Sequence, residues 1–367
     1  MQIPLINLQR QYHKLSQELN TALKDVLEQG QYILGPRVRE LEAEIARLSG
    51  TSHAIGLANG TDALVLVLRA LGIGPGDEVI TSPFTFFASA ECVSLLGATP
   101  VFADIDPGTY NIDPQSIKSK ITPKTKAIIP VHIFGQPCPI KEVMALAKEH
   151  GLYVIEDACQ AIGAAVEGQP VGSFGDAACY SFFPTKNLGG YGDGGMLVTN
   201  NQELADKIRI LRAHGSTKKY FHTAVGYNSR LDEMQAAILL TKLKFLASWN
   251  ARRRELAAVY DAALKEHVVI PEVLPAVESV YHLYVIRHAN RDKLMNYLSQ
   301  QGIASGVYYP LPLHLQEVYK DLGYQEGDLP VVDGLYKDVL ALPLCPELTD
   351  EEQHYIIQHV LNFCKGA

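Results

Sequence analysis

Residues 179–195 read CYSFFPTKNLGGYGDGG. They set one lysine, Lys186, between a short apolar run (177–183) and five glycines in the seven positions 189–195. A second strand-like run follows at 196–199. Two short apolar runs separated by turn-forming residues read as buried strands joined by a loop. A lysine held by such a loop can form a Schiff base with a carbonyl. Taken alone, the stretch would sooner be a surface loop with an exposed lysine. Two other stretches change that reading.

The first is YVIEDACQAIG, residues 153–163. Its start, 153–155, is a short apolar run suited to a buried strand of a parallel sheet. The run ends in Glu156 and Asp157, with Gln160 just beyond. Acids at the carboxyl end of such a strand sit where α/β sheets bind ligands. A buried carboxylate there needs a cationic partner, and a protonated pyridine nitrogen would be one. The plainer alternative makes Asp157 a helix N-cap. The second stretch is LANGTDALVLVLRAL, residues 57–71. A strand leads through Asn59-Gly60-Thr61 into an apolar helix, whose free N–H groups favour a phosphate; the alternative is that Asn59 or Thr61 is only a cap. Together the three stretches supply a phosphate cradle, a pyridinium partner and a Schiff-base lysine, which are the needs of pyridoxal phosphate (PLP).

With those residues in view, the chain resembles the DegT/DnrJ/EryC1/StrS family of PLP-dependent sugar aminotransferases. The matching runs are QYILGP (31–36), ANGTDAL (58–64), GPGDEVITSPFTF (74–86), TKAIIPVHIFGQP (125–137), VIEDACQAIGA (154–164), SFFPTKNLGGYGDGG (181–195) and GYNSRLDEMQAA (226–237). The YYPLPLH run at 308–314 is similar to members that aminate a 3-keto nucleotide sugar. The resemblance implies an α/β fold of the aspartate aminotransferase type (fold type I), with a mainly parallel seven-stranded sheet. It implies transfer of nitrogen from glutamate to a UDP- or dTDP-linked keto-sugar for surface polysaccharide or glycoside synthesis. The subgroup acting on UDP-2-acetamido-3-oxo-glucuronate comes first, and dTDP-3-oxo-6-deoxyhexose enzymes second. Amination of a 4-keto sugar, or a PLP-binding regulator without turnover, are the alternatives.

The resemblance also assigns residues. Lys186 would carry the cofactor and shuttle the proton, and Asp157 rather than Glu156 would hold the pyridine proton. Gly60, Thr61 and Ser181 would bind the phosphate. Phe86 would stack on the ring, although without the family it reads as a core aromatic. Gln160 would lie near the phenolic oxygen. Asn228 and Arg230 match a segment that reaches the partner subunit's site in a homodimer with shared active sites. Tyr32, His214, Lys218, Tyr220, Arg230, Tyr308, Tyr309 and His314 are the sugar-contact candidates. A branch that replaces the lysine with histidine dehydrates its substrate instead; Lys186 disfavours it here.

Composition bounds the rest. The 367 residues are 47% hydrophobic and 20% charged, enough for a large core in a globular enzyme. A net charge of −8 argues against nucleic acid as the main ligand, so an anionic substrate must meet local cations such as Lys218. The N-terminus, MQIPLINLQRQYHKL, lacks the basic and apolar regions of a signal peptide, and no run is long enough to span a membrane. Six cysteines without a CxxC pair read as reduced thiols of a cytoplasmic protein. Twelve histidines without ligand spacing predict no metal site. Gly190, Gly192 and Gly195 fit a dinucleotide pattern but lead into a strand rather than a helix, so that motif is rejected.

The alternation of strands and helices predicts a large PLP-binding domain at 1–247, its helices including 7–29, 37–48, 86–96 and 231–246. A smaller α+β domain is predicted at 248–367, with helices at 251–264, 291–301 and 350–363. Its strands are expected at 280–287 and 305–309.

Overall fold

The computed structural model describes residues 1–366. Seven strands build the main sheet: β1 (His53–Leu57), β2 (Glu78–Thr81), β3 (Thr99–Phe102), β4 (Thr125–Ile129), β5 (Tyr153–Asp157), β6 (Ala177–Ser181) and β7 (Gly195–Thr199). Their order is β1-β7-β6-β5-β4-β2-β3. Neighbours from β3 to β6 run parallel, and β7 runs antiparallel to both β1 and β6. The expected sheet is present, and only β7 departs from the parallel arrangement. The lysine stretch is the reason. It turns straight back from β6 into β7, and a direct return can only be antiparallel.

Helices cover both faces, so these strands are apolar on both sides. One face packs Ile155, Cys179 and Leu197 against the helix Gly60–Ala70. The other packs Ala178, Tyr180 and Val198 against the helices Pro36–Leu48 and Glu233–Leu243. Strand side chains alternate between faces. Asp157 therefore shares the face of Ile155, and Ser181 that of Cys179, whereas Glu156 points the opposite way.

The helix Pro36–Leu48 shows how distant segments are joined. It starts with a proline, which has no N–H to satisfy, and the preceding Gly35 offers no side-chain cap. Its cap comes from Glu233 instead, whose carboxylate accepts from Arg37 N at 2.9 Å and Val38 N at 2.8 Å. A Cβ on Gly35 would lie 2.6 Å from the Glu233 carboxyl carbon, so the glycine makes room for this buried acid.

The C-terminal part is built on a two-stranded antiparallel ladder, Tyr284–Arg287 with Val339–Leu342. Two expected strands differ here. Residues 305–309 form no strand; Gly306 makes only an isolated bridge to Ala341, and the Tyr308 ring folds back over it. Residues 280–283 do not extend the 284–287 strand, because Tyr281 has a left-handed φ of 43° and Val280 N bonds instead to Gly135 O. The Val339–Leu342 strand went unread. The helix Leu246–Leu264 also begins earlier than expected and runs through position 248. Its first residue packs in the sheet's core, whereas Leu256, Ala257, Tyr260 and Leu264 pack in the C-terminal core. Ile3 joins that second core too, and Arg10 binds Glu352 of the last helix at 2.8 Å. No helix among the described residues is long and apolar enough to cross a membrane.

Loss of the Glu233 cap can be measured directly. Glu233→Ala should lower unfolding stability by about 1–2 kcal/mol, the scale of a lost N-cap with its charge on the helix dipole. Glu233→Gln should lose less. An unchanged denaturation midpoint in the alanine variant would show that the helix does not depend on this contact.

Candidate active site

The helix Gly60–Ala70 opens at the carboxyl end of β1. Asn59 caps it by accepting from Asp62 N at 2.7 Å. No acceptor is found among the described residues for the N–H groups of Gly60 and Thr61. These two donors, at the positive end of a helix, suit a phosphate. Gly60 is required by what lies beside it: a Cβ there would stand 2.9 Å from Cys159 Sγ and 3.0 Å from Ser181 Cβ. The close approach puts the free N–H groups next to the end of β6, where the lysine stretch begins. A Cβ on Gly195 would likewise run into the Asn59 carbonyl.

The two acids of β5 are handled differently. Glu156 is fully buried and accepts from Gly172 N, Phe174 N and Gly175 N, with His132 Nε2 3.0 Å away. Its oxygens are committed to fixing the loop before β6. Asp157 accepts from Ser89 Oγ at 2.6 Å and from Cys159 N at 3.2 Å. It caps no helix, since residues 158–163 form turns. It is a buried carboxylate on the cradle's side of the sheet, with two donors and no cation salt-bridged to it among the described residues.

Lys186 is part-buried in the loop above, its own N–H bonded to Phe183 O at 2.8 Å. Burial lowers the pKa of its ammonium, while Cys159 and Asp157 act in the opposite direction. A lowered pKa keeps more of the amine in its nucleophilic form. Gln160 is held at both ends: Oε1 accepts from Phe134 N at 2.8 Å and Nε2 donates to Tyr309 OH at 3.2 Å. Phe86 is 58% exposed and is no core residue; Phe84 takes that place. Ser89 N bonds back to Phe86 O, so Phe86 stands one turn from the residue that holds Asp157.

The structure thus gathers Gly60, Thr61, Asp157, Ser181 and Lys186, with Gln160 and Tyr309 adjoining. The remaining candidates differ in exposure. Lys218 and Tyr220 are exposed on a small hairpin, Ser216–Lys218 with Phe221–His222, and His214 is exposed just before it. Asn228 is exposed at its base, while the next residue, Ser229, is buried and accepts from Ala58 N at 3.2 Å. Arg230 is part-buried, as is Tyr308, and Tyr32 is 46% exposed. His314 is corrected outright. It is buried under Phe102 and Tyr324 with Nε2 3.1 Å from Asp333 Oδ1, and so offers no face to a sugar.

Sequence reading missed Ser89, Cys159 and His282. Ser89 follows a matched run by three residues, and Cys159 lies inside another, but neither type signals its role. His282 comes from the C-terminal part. Burial, then the charges of Lys186 and Arg253, hold its pKa well below the ordinary value.

The sequence profile of the DegT/DnrJ/EryC1/StrS aminotransferase family matches residues 13–361. The chain belongs to this family. It is 52% identical to a "Pleiotropic regulatory protein" of Geobacillus stearothermophilus, over 99% of both chains. It is 49% identical to a UDP-N-acetyl-3-dehydro-α-D-glucosamine 3-aminotransferase of Acidithiobacillus ferrooxidans, over 95% of both. It is 46% identical to a UDP-2-acetamido-2-deoxy-3-oxo-D-glucuronate aminotransferase of Pseudomonas aeruginosa, over 94% and 96%. Among solved structures, Streptomyces venezuelae DesV in complex with a ketimine intermediate superposes with a TM-score of 0.97 at 42% identity, over 99% of each chain. Bacillus subtilis NtdA with bound cofactor PMP gives 0.93 at 33%, over 99% of this chain and 85% of that one.

As a member of this aminotransferase family the chain uses PLP, and the residues fit it. The unclaimed N–H groups of Gly60 and Thr61 beside the Ser181 hydroxyl suit a phosphate. The buried Asp157 carboxylate suits a protonated ring nitrogen, and Lys186, its pKa lowered by burial, suits an aldehyde. The cradle's tight contacts can be broken by one methyl group. Gly195→Ala should displace the Asn59 turn and weaken PLP binding about tenfold or more, the scale on which small misplacements act. Equilibrium dialysis of the folded variant measures this; unaltered affinity would mean the turn does not set the cradle.

Proposed function

We propose that this aminotransferase moves an amino group from glutamate to C3 of a UDP-linked 2-acetamido-3-keto-hexose. The observation that carries the proposal is the convergence of Lys186, Asp157 and the free N–H groups of Gly60 and Thr61. The named activities of the Acidithiobacillus and Pseudomonas relatives support the substrate class. The charges of Lys218 and Arg230, on a chain of net charge −8, suit a diphosphate and a sugar carboxylate, so a uronate is preferred over its neutral counterpart.

The bound cofactor supplies an electron sink for the substrate carbon. The chain's own residues do the rest. Gly60 N–H, Thr61 and Ser181 would receive the phosphate. Phe86 would cover the ring, and Gln160, its amide fixed by Phe134 N and Tyr309, would serve the phenolic oxygen. Asp157 would hold the ring-nitrogen proton, its carboxylate kept in place by Ser89 and the Cys159 N–H. Lys186 would hold the cofactor through Nζ and act as the proton-carrying base at the substrate carbon. Tyr32, His214, Lys218, Tyr220, Arg230, Tyr308 and Tyr309 remain the sugar contacts.

We further assign a cytoplasmic homodimer, each chain with a PLP-binding domain (1–247) and a small domain (248–367). The exposure of Asn228 beside buried Ser229 supports a contact made to the partner's phosphate. A regulator without turnover is the second reading, favoured by the name of the Geobacillus relative.

Borohydride treatment of the PLP-loaded protein should fix the cofactor on Lys186, as read by peptide mass spectrometry. The pyridoxamine form should aminate UDP-3-keto sugars in a panel, the uronate with the higher kcat/KM. Fixation on another lysine would sink the site, and intact fixation without any turnover would favour the regulator. Sharing of the site has its own test. Lys186→Ala and an Asn228/Arg230 double variant, each inactive, are co-refolded; one site of a mixed dimer collects both defects and the other neither. About a quarter of wild-type activity should return for random two-fold pairing. None returning, with mixed dimers present, would place Asn228 and Arg230 in their own chain's site.

A further inference from the structure

Lys242 is fully buried. Lysine is almost never buried unless paired, because an uncompensated charge in the interior is costly. No carboxylate forms a salt bridge with it among the described residues. Its Nζ donates to Gly189 O at 2.8 Å and stands 4.1 Å from the centre of the Tyr191 ring. Packing alone does not explain a cation here, since methionine would fill the same length without a charge to desolvate.

The position explains it better. Gln235 lies seven residues earlier on the same helix, Glu233–Leu243, and so on the same face. Its Oε1 accepts from Tyr191 N at 2.8 Å. Cβ atoms on Gly190 and Gly192 would lie 2.7 and 2.9 Å from the Gln235 amide, so the glycines let the loop settle onto it. One helix face therefore grips the carbonyl of residue 189 and the N–H of residue 191. The loop is closed at its base by Gly190 N to Phe182 O and Phe182 N to Gly194 O, both 2.8 Å. Lys186 lies inside this closed segment. Behind it, Tyr12 of the first helix meets the Tyr191 ring edge-on, with centroids 6.3 Å apart.

We propose that Lys242 and Gln235 are positioning residues for Lys186, gripping the 189–191 turn and so fixing where the Lys186 amine stands. This rests on the reading of Lys186 as the cofactor-holding lysine. The groups facing the Lys242 cation are the Gly189 carbonyl and Tyr191, with Tyr12 behind the ring and Glu347 farther off. Burial lowers the pKa of Lys242 to about 8, with Glu347 acting in the opposite direction. The grip therefore carries its charge below that pH and loses it above.

The test compares Lys242→Met, Lys242→Arg and Gln235→Leu with wild type. Borohydride fixation on Lys186 in the wild-type protein first checks the underlying reading; its failure there, and not in the variants alone, would overturn that reading. In the cofactor-free chains, the Gly190 and Tyr191 amides should exchange hydrogen faster in Lys242→Met and Gln235→Leu. In the loaded proteins, Lys242→Met should lower kcat by about tenfold to a hundredfold, the range for a displaced catalytic group, with KM for the keto-sugar nearly unchanged. The pH at which the visible absorbance titrates should shift, and Lys242→Arg should restore part of both. Gln235→Leu should move the same quantities less, and it decides the matter should Lys242→Met not fold. Unchanged kcat and unchanged absorbance titration in a folded Lys242→Met or Gln235→Leu would overturn the proposal and leave the contact a packing feature.

Discussion

Two carboxylates buried side by side at the end of one strand are the constraint from which the site follows. Each needs donors, because an ionised acid in the interior is otherwise neutralised or excluded. Strand geometry sends them to opposite faces, so they cannot share partners. Glu156 meets its need with three backbone N–H groups and His132, and in doing so ties the 172–175 loop under the sheet. Asp157 meets only part of its need, with Ser89 and one N–H. The acid that is saturated has become structure, and the acid that is not has become available. A cationic ring nitrogen placed there completes a set of interactions that the protein alone leaves short.

The same logic governs the glycines. At Gly60 and Gly195 the missing side chain lets the helix start, β6 and β7 approach until the phosphate donors stand beside the lysine stretch. At Gly35 and Gly190 it lets a polar side chain from the helix Glu233–Leu243 reach the backbone. That helix carries the cap of Pro36–Leu48 at its first residue and the contacts to the lysine loop at Gln235 and Lys242. It is entered directly from the Asn228–Arg230 segment, so that segment and the lysine loop share one mount.

Much of this was legible in the sequence, and the reason is chemical. Strands with short apolar runs bounded by turn residues were placed to within a few positions, whereas the lysine, the acids and the Asn-Gly-Thr turn each read singly as a loop or a cap and pointed to a site only in combination. The lost strands of the C-terminal part had weaker signals. Residues 305–309 carry the strand-favouring run Val-Tyr-Tyr, but the Tyr308 ring closes over Gly306, a side-chain placement that residue type does not encode. His314 failed for a related reason: a histidine in a motif gives no sign of whether it faces a ligand or Asp333. Ser89 was missed because a small hydroxyl acquires its role only from the carboxylate the fold brings to it, and Cys159 because its part is played by a backbone N–H that no residue type announces.

The chain's two buried-site lysines show how one residue type is put to opposite uses. Lys186 sits part-buried in a loop, its pKa lowered by burial but opposed by Asp157 and Cys159. Nothing among the described residues ties its side chain by a hydrogen bond, so the amine is free to exchange one partner for another. Lys242 is enclosed completely, bonded to a carbonyl and covered by an aromatic face. A group that must change partners during turnover needs a modest penalty in both charge states, because a deep preference for either would stall one half of the reaction. A group that must hold still can tolerate a strong local commitment, provided its surroundings supply the acceptor and the face. Placing the first lysine within one closed loop, and the second where it grips that loop from outside, separates the demand for mobility from the demand for precision.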